Sequence, residues 1–311
     1  MTADRMTAIA KAAAVAWGGC RGTPRLVAQR ENTVFDLRLA DGTRVALRLH
    51  RQGNVDPVAV GAELAWTEAL AEAGVACPAP RRTLAGELAV DCQGQLVSAV
   101  AWIDAPPLSE APGDPVQQHH RLGATLADLH SAADRLRLCP VPRRTWKRDD
   151  LIGEVPRWGG HWLNPALDDA ERTLLAEARD AARRQLAAVS HPDVGLIHAD
   201  TLRENVLDDG ALLWLIDFDD SGFGYRGYDL ATALIQQIDL PGWERRAEAL
   251  LEGYLSRRPD AAPLRGDLAM FVLIRGLATA GWIVDRAPHD DPRQRLYAER
   301  ALAAARLYLG G

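Results

Sequence analysis

The second half of this chain carries helical periodicity except at one place, and that exception most constrains the fold. Residues 205–218, NVLDDGALLWLIDF, predict two short apolar strands around the turn residues Asp209 and Gly210. Asn205 stands at the start of this hairpin and Asp217 at its end. Because a hairpin returns the chain on itself, we expect Asn205 and Asp217 to meet at one end of two paired strands.

A group of polar residues directly precedes the hairpin. In LIHADTLRENVL, residues 196–207, His198, Asp200 and Asn205 form the pattern H-x-D-x-x-x-x-N. Phosphoryl transfer from a nucleotide needs a carboxylate that orients an acceptor hydroxyl and accepts its proton. It also needs an amide oxygen and a second carboxylate that hold Mg²⁺ on the phosphates. With Asp217 after the hairpin, the set points to magnesium-dependent phosphoryl transfer.

The N-terminal part of the chain shows a β-rich pattern. Residues 25–51 alternate apolar and polar side chains around the Asp41-Gly42 turn, which predicts a hairpin or meander. One helix is predicted at 59–74, and two more strands are predicted at 86–92 and 95–103.

After the proline pair at 106–107, the sequence pattern becomes mainly helical. Together the two patterns predict an α+β, bilobal chain: a small β-rich N-lobe at 1–98, a hinge at 99–104, and a larger, mainly helical C-lobe at 105–311. The predicted C-lobe helices are 115–131, 168–189, 228–238, 243–256, 265–285 and 293–308.

Composition excludes several classes of protein. The 311 residues are 48% hydrophobic and 25% charged, which is typical of a globular chain. The net charge of -6 gives no electrostatic reason to expect nucleic-acid binding. No apolar run approaches the roughly 18–20 residues of a membrane span, so we expect no membrane partner. The scattered cysteines favour a reducing, cytoplasmic location.

The segment HADTLRENVL followed by LIDFDDSGFGYRGYDLA resembles the catalytic and metal-binding loops of aminoglycoside phosphotransferase and choline kinase-like enzymes. These enzymes have the protein-kinase-like fold. RENTVFDL, VALRLHR and AELAWTEALAEAGVACPAP are similar to their N-lobe, so the resemblance covers most of the chain. Within the family the chain resembles the branch of the bacterial stress-response kinase and homoserine kinase-like proteins.

The resemblance implies Mg²⁺ as cofactor, ATP or GTP as co-substrate, and a role for each matching residue. His198 is interpreted as structural support, because the residue two places on carries the chemistry in this type of loop. The implied roles are Asp200 as catalytic base, Asn205 and Asp217 as magnesium ligands, Glu63 as the partner of the phosphate-binding cation, Asp229 as the brace of the catalytic loop, and Val100 to Trp102 as the backbone beside the nucleotide base.

Two residues depart from the family pattern. Arg48 stands where the family has a strand lysine, and Lys11 and Lys147 are the only lysines in the chain. Arginine still pairs with a carboxylate and with phosphate, but with a different geometry. Glu204 replaces a glycine that is common before the metal-binding Asn205. Its charge either repels phosphate or recognises a cationic substrate.

Gly222, Gly224 and Gly227 form G-x-G-x-x-G, the spacing of a dinucleotide-binding turn. That site needs a further strand and an acidic residue about 20 positions on, whereas a helical segment follows here. The sequence therefore predicts turn glycines that lead from the metal site into the helix of Asp229.

The implied function is a kinase that transfers the γ-phosphate to a hydroxyl of a small molecule. Eleven residues separate Asp217 from Asp229, too few for the segment on which typical protein kinases bind a peptide. Acidic residues at 204, 219 and 220 favour an amino alcohol, an amino sugar or a homoserine-like acceptor, although 219 and 220 also fit a solvated turn. The alternatives are a protein Ser/Thr kinase of the stress-response type and a nucleotide-binding pseudokinase.

The aromatic residues at 158–162 either form a lid over the substrate or pack between helices.

Overall fold

The computed structural model describes residues 2–29, 32–51, 56–136, 144–189 and 192–310. The strands are β1 (Cys20–Gln29), β2 (Thr33–Leu39), β3 (Arg44–Leu49), β4 (Ala89–Cys92), β5 (Gln95–Ala101), β6 (Arg144–Trp146), β7 (Val194–Ile197), β8 (Val206–Asp208), β9 (Leu213–Leu215) and β10 (Gly222–Tyr225). The helices are α1 (Ala3–Ala13), α2 (Pro57–Glu72), α3 (Pro115–Arg135), α4 (Arg148–Ile152), α5 (Asp169–Ala188), α6 (Arg226–Ile235), α7 (Trp243–Arg257), α8 (Leu264–Trp282) and α9 (Pro292–Gly310).

The described residues separate into two compact units. The first is built mainly from Met1–Pro106 and Leu207–Asp219, and the second from Pro107–Arg135, Arg144–Val206 and Asp220–Gly311. The first unit therefore takes in most of the hairpin, which the sequence assigns to the C-lobe. The predicted lobe boundaries and hinge stay a prediction.

An antiparallel sheet forms the centre of the first unit, in the order β1-β2-β3-β5-β4. The predicted turn is present: Thr43 donates its N–H to the Asp41 carboxylate, and Gly42 has a φ of 93°. Alternate residues of β2 and β3, such as Phe35 and Leu47, are fully buried. They share a core with the apolar side of α1, as period-2 alternation requires.

Helices dominate the second unit, as predicted, but the unit also holds a small sheet that periodicity does not reveal. Its order is β6-β10-β7, with β10 parallel to β6 and antiparallel to β7. These strands are only three or four residues long, so they show too few alternations for a pattern to be recognised.

The prediction that Gly222 and Gly224 are turn residues is wrong, since both lie in β10. Their role is close packing. A Cβ on Gly222 would lie 2.3 Å from the Arg144 carbonyl oxygen, and one on Gly224 would lie 2.6 Å from the Trp146 Cβ. Glycine at these positions allows β10 to lie between β6 and β7.

Gly227 lies in the first turn of α6, where an added Cβ would be 2.3 Å from the Phe271 ring. We expect Gly227→Ala to lower the free energy of unfolding by about 1–3 kcal/mol, the usual cost of overpacking a core. Gly266→Ala is the matched control, because Gly266 also lies in a first helical turn but has nothing within 4 Å of the added Cβ. Urea unfolding should show it unchanged or stabilised by about 0.5 kcal/mol. Equal effects of the two substitutions would contradict this packing role.

Within the described part of the chain, no helix is both long enough and apolar enough to cross a membrane.

Candidate active site

The loop that carries Asp200 joins β7 to β8 in the second unit and is held by one buried carboxylate. Asp229, on α6, accepts hydrogen bonds from the N–H of His198 at 2.9 Å and of Ala199 at 2.7 Å, and its own carbonyl accepts from the Thr201 hydroxyl. Ala199 has a φ of 68°, a left-handed conformation that costs a non-glycine residue energy. The bonds to Asp229 offset that cost, so Asp229 fixes the backbone on which Asp200 stands.

Two buried side chains orient Asp229 in turn. The ring of His130, on α3, has Nε2 3.0 Å from the Asp229 carboxylate and Nδ1 2.9 Å from the Tyr254 hydroxyl of α7. Burial lowers the pKa of His130, so the ring is neutral. A carboxylate only accepts hydrogen bonds, so we assign the ring proton to Nε2. The side chain of His198 is also fully buried, and its Nδ1 accepts the Asp200 N–H.

Both oxygens of the Asp200 carboxylate have a partner. Asn205 donates from Nδ2 to one oxygen at 2.7 Å, and Arg275, on α8, donates from Nη2 to the other at 2.9 Å. A second bond from Asn205 Nδ2 reaches the Asp200 carbonyl. The carboxylate plane is therefore fixed, and the hydrogen bonds of the Asn205 amide use its nitrogen rather than its oxygen.

Arg48 lies at the centre of a charged cluster in the first unit. Its guanidinium donates to Glu63 at 3.1 Å, to Asp217 at 3.2 Å and to Asp219. Burial alone would lower the pKa of Arg48, but the three carboxylates raise it above its ordinary value. Burial also opposes the ionisation of Asp219, yet Arg48 holds the pKa of that carboxyl at about 2. Arg48 and Asp219 are therefore both charged at neutral pH.

Removing the cation from this cluster is expected to destabilise the protein. The Arg48 side chain is only 11% exposed, so Arg48→Met would remove the guanidinium that pairs with the buried Glu63 carboxylate and should lower the free energy of unfolding by about 3–5 kcal/mol. Arg25→Met removes a cation that is 64% exposed beside Asp36 and should cost at most about 1 kcal/mol. Chemical denaturation of both variants checks this, and similar losses would mean that the Arg48 cluster is not energetically buried.

Asp217 and Asn205 suit a hard divalent cation by their chemistry. Asp217 has a φ of 66°, and its carboxylate is 47% exposed. The amide of Asn205 keeps Oδ1 for a ligand. Mg²⁺ takes few protein oxygens and fills its other positions with water and phosphate. The described residues contain no cluster of three or more His, Cys, Asp or Glu that would bind a metal by themselves.

The segment predicted beside the nucleotide base lies at the end of β5. Val100 is paired with Ala46 of β3. Trp102 donates its N–H to the Arg44 carbonyl at 3.3 Å, and its ring lies 4.4 Å from the Arg44 guanidinium carbon. The N–H groups of Ala101 and Trp102 therefore both bond to carbonyl oxygens within the first unit.

The structure shows the surroundings of several residues whose roles the sequence left open. Asp219 and Asp220 lie in a turn, but they are partly buried and pair with Arg48 and Arg144. Glu204 accepts a hydrogen bond from the Gln236 amide at 2.9 Å. The aromatic residues at 158–162 pack within the second unit: Trp158 lies against Trp146 and Arg286, and Trp162 lies against His161 and Arg179.

His130, Tyr254 and Arg275 belong to this site, but the sequence pattern does not reveal them. These residues lie 99, 124 and 75 positions from their partners and on separate helices. No local spacing connects them to the catalytic loop, so a single sequence carries no signal for them.

Known proteins share both the sequence and the fold of this chain. The sequence model of the Phosphotransferase enzyme family (APH) matches residues 23–266. A homoserine kinase of Pseudomonas aeruginosa (strain PAO1) is 32% identical over 244 residues, 75% of this chain and 71% of that protein. A homoserine kinase of Methylobacillus glycogenes is 29% identical over 198 residues, 61% of this chain and 57% of that protein, so the chain spans less than two thirds of this relative.

Two solved structures show the same fold. A microcompartment-associated aminopropanol kinase has a TM-score of 0.84 at 26% identity, covering 97% of this chain and 96% of its own. The amicoumacin kinase hAmiN, solved with AMP-PNP, has a TM-score of 0.72 at 16% identity, covering 92% and 88%. These likenesses confirm the predicted protein-kinase-like fold, with a β-rich N-lobe and a larger helical C-lobe. Together with the family match they confirm the resemblance seen in the sequence: the chain belongs to the phosphotransferase enzyme family and to its predicted class, kinases that act on an alcohol group.

Proposed function

We propose that this protein transfers the γ-phosphate of ATP to the hydroxyl group of a small amino alcohol, in the presence of Mg²⁺. The observation that carries the proposal is the state of Asp200: a carboxylate fixed at both oxygens, on a strained loop braced by Asp229. A group held in this way is prepared to orient a hydroxyl and accept its proton.

Each proposed role follows from the chemistry of the side chain. Asp200 accepts the hydroxyl proton while the acceptor oxygen bonds to the γ-phosphorus and the bond from that phosphorus to the β,γ-bridging oxygen breaks. Arg48, held by Glu63, binds the phosphates. Asn205 and Asp217 hold Mg²⁺, which when bound neutralises charge that develops on the phosphates.

ATP is the proposed donor because the amicoumacin kinase with the same fold binds an ATP analogue, and GTP is the alternative. Its base would lie beside Val100 and Trp102. A cytoplasmic location is part of the proposal, because the cytoplasm supplies ATP.

The proposed acceptor class rests on the relatives and on one carboxylate. The relatives are named for homoserine and aminopropanol, small alcohols that carry an amine. Of the three acidic residues considered in the sequence, Asp219 and Asp220 pair with arginine. Glu204 forms no ion pair among the described residues and accepts only from the amide of Gln236. We therefore propose Glu204 as the group that recognises the ammonium.

The alternatives receive less support. No relative named above is a protein kinase, so the stress-response type is not favoured. A pseudokinase has no need of a base, whereas the second unit fixes the Asp200 carboxylate at both oxygens.

The test is transfer of labelled γ-phosphate from ATP and from GTP, with and without Mg²⁺, to homoserine, aminopropanol, ethanolamine, an amino sugar and a generic protein acceptor. Transfer to one amino alcohol that requires Mg²⁺ supports the proposal. Transfer to protein alone would replace it with the stress-response type. Nucleotide binding without transfer to any of these would favour the pseudokinase.

A further inference from the structure

Arg275 is the one buried cation, among the described residues, that contacts the Asp200 carboxylate. It projects from α8, whose other buried residues are mainly apolar. The buried neighbours in the helix include Phe271, Leu273, Ile274 and Leu277. Only 9% of the Arg275 side chain is exposed.

The other contacts of Arg275 are weak for a buried guanidinium. Nη1 donates to the Tyr228 hydroxyl at 3.1 Å and approaches the Ala199 carbonyl at 3.5 Å. Nε is buried and has no hydrogen-bond partner among the residues that the structure describes. Burying a guanidinium is costly, and apolar residues of similar volume often stabilise a protein as well or better. Stability alone therefore does not account for an arginine at this position.

The bond to Asp200 gives the arginine a use in the reaction. Asn205 holds one carboxylate oxygen and Arg275 the other. With Asn205 alone, the carboxylate could still turn about its single bonds. With both, the lone pairs that remain on the carboxylate have fixed directions, and an acceptor hydroxyl meets a base that is already aligned.

We propose that Arg275 is a positioning residue for phosphoryl transfer: it aligns the Asp200 carboxylate for the acceptor hydroxyl and contacts neither substrate. This inference rests on the proposed role of Asp200 as base. Because a displacement of about 1 Å in a reacting group costs on the order of 100-fold in rate, we expect Arg275→Met to lower kcat by about 10- to 100-fold. The KM values for ATP and for the amino alcohol should change by less than about threefold.

The experiment compares the wild type, Arg275→Met, Arg275→Ala, Arg275→Lys and Tyr228→Phe, each first shown to be folded by circular dichroism. Arg275→Lys keeps a cation of similar reach and should recover part of kcat. Added guanidinium, at concentrations far below those that unfold the wild type, should also raise kcat of Arg275→Ala, whose short side chain leaves space for the ion, but not of the wild type. Tyr228→Phe removes a partner of Arg275 without touching Asp200, so it should stay within a few-fold of the wild type.

A double variant keeps the inference testable if Arg275→Met is poorly folded. Because both residues act in one step, Asp200→Asn with Arg275→Lys should be no slower than Asp200→Asn alone. An unchanged kcat in Arg275→Met, a loss confined to KM, no recovery by guanidinium or lysine, or additive losses in the double variant would each overturn the inference.

Failure of this inference is distinguishable from failure of the proposed function. If the wild type is active and Asp200→Asn is not, but Arg275→Met keeps full kcat, only the role of Arg275 is lost. If the wild type transfers phosphate to none of the acceptors, or Asp200→Asn keeps full activity, the proposed function itself is wrong and this inference falls with it.

Discussion

Asp200→Asn is expected to lower kcat by about 10²- to 10⁴-fold, the range that a positioned general base contributes. An amide keeps the size of the side chain but does not accept the hydroxyl proton at neutral pH. The substitution also leaves Arg275 without its anionic partner. The affinity for ATP should change little, since the proposed phosphate-binding groups are other residues. Single-turnover transfer and calorimetric ATP binding on the same sample measure both quantities.

Asp260→Asn provides the control for this experiment. It makes the same chemical change in the same unit, at a side chain that is 74% exposed, and should leave kcat unaltered. If Asp200→Asn transferred phosphate at the wild-type rate, Asp200 would not be the base. A loss of ATP binding equal to the loss of kcat would point to a folding defect instead.

Asp217→Asn is expected to have the second largest effect, a fall in kcat/KM of about 10²- to 10⁴-fold at a fixed Mg²⁺ concentration. The physical reason is loss of the only carboxylate in the proposed metal pair, and a bound metal stabilises charge in the transition state by several kcal/mol. The Mg²⁺ concentration for half-maximal rate should rise at the same time. Initial rates measured across a Mg²⁺ titration give both numbers.

Asp219→Asn is a close control, because Asp217 and Asp219 both accept from Nη2 of Arg48. Both substitutions weaken that cluster, but only the first removes a proposed metal ligand. The Mg²⁺ dependence should therefore shift in Asp217→Asn and stay near the wild-type value in Asp219→Asn. The same shift in both variants would trace the effect to Arg48 and would remove Asp217 from the metal site.

Most of the fold follows from patterns that are local in sequence. The Asp41-Gly42 turn, the long helices and the pair β8 and β9 appear where periodicity and turn residues predict them. The sheet of β6, β7 and β10 does not, because its strands are very short and two of the four residues of β10 are glycine. The G-x-G-x-x-G spacing of the glycines is visible in the sequence, but the close packing that requires glycine is visible only in the structure.

In the candidate site, too, some features follow from the local sequence and others only from the tertiary structure. Asp200, Asn205 and Asp217 lie within one short segment, and their residue types at that spacing already indicate phosphoryl transfer to a hydroxyl. The left-handed backbone at Ala199 runs against the preference of alanine, whereas the same conformation at Asp217 is less costly for an aspartate. At Ala199 it is held by bonds from a distant helix, so local propensity gives no indication of it.

The sequence by itself therefore determined the reaction class, because that depends on which chemical groups the chain carries and how they are spaced along a short loop. Only the tertiary structure decided how those groups are held. Arg275 on Asp200, and His130 with Tyr254 on Asp229, come from three helices that are far apart in the chain. Helical periodicity fixes which side of each helix is buried, but it does not fix which polar side chains meet when the helices pack. That choice depends on the relative positions of the helices, which only the folded chain defines.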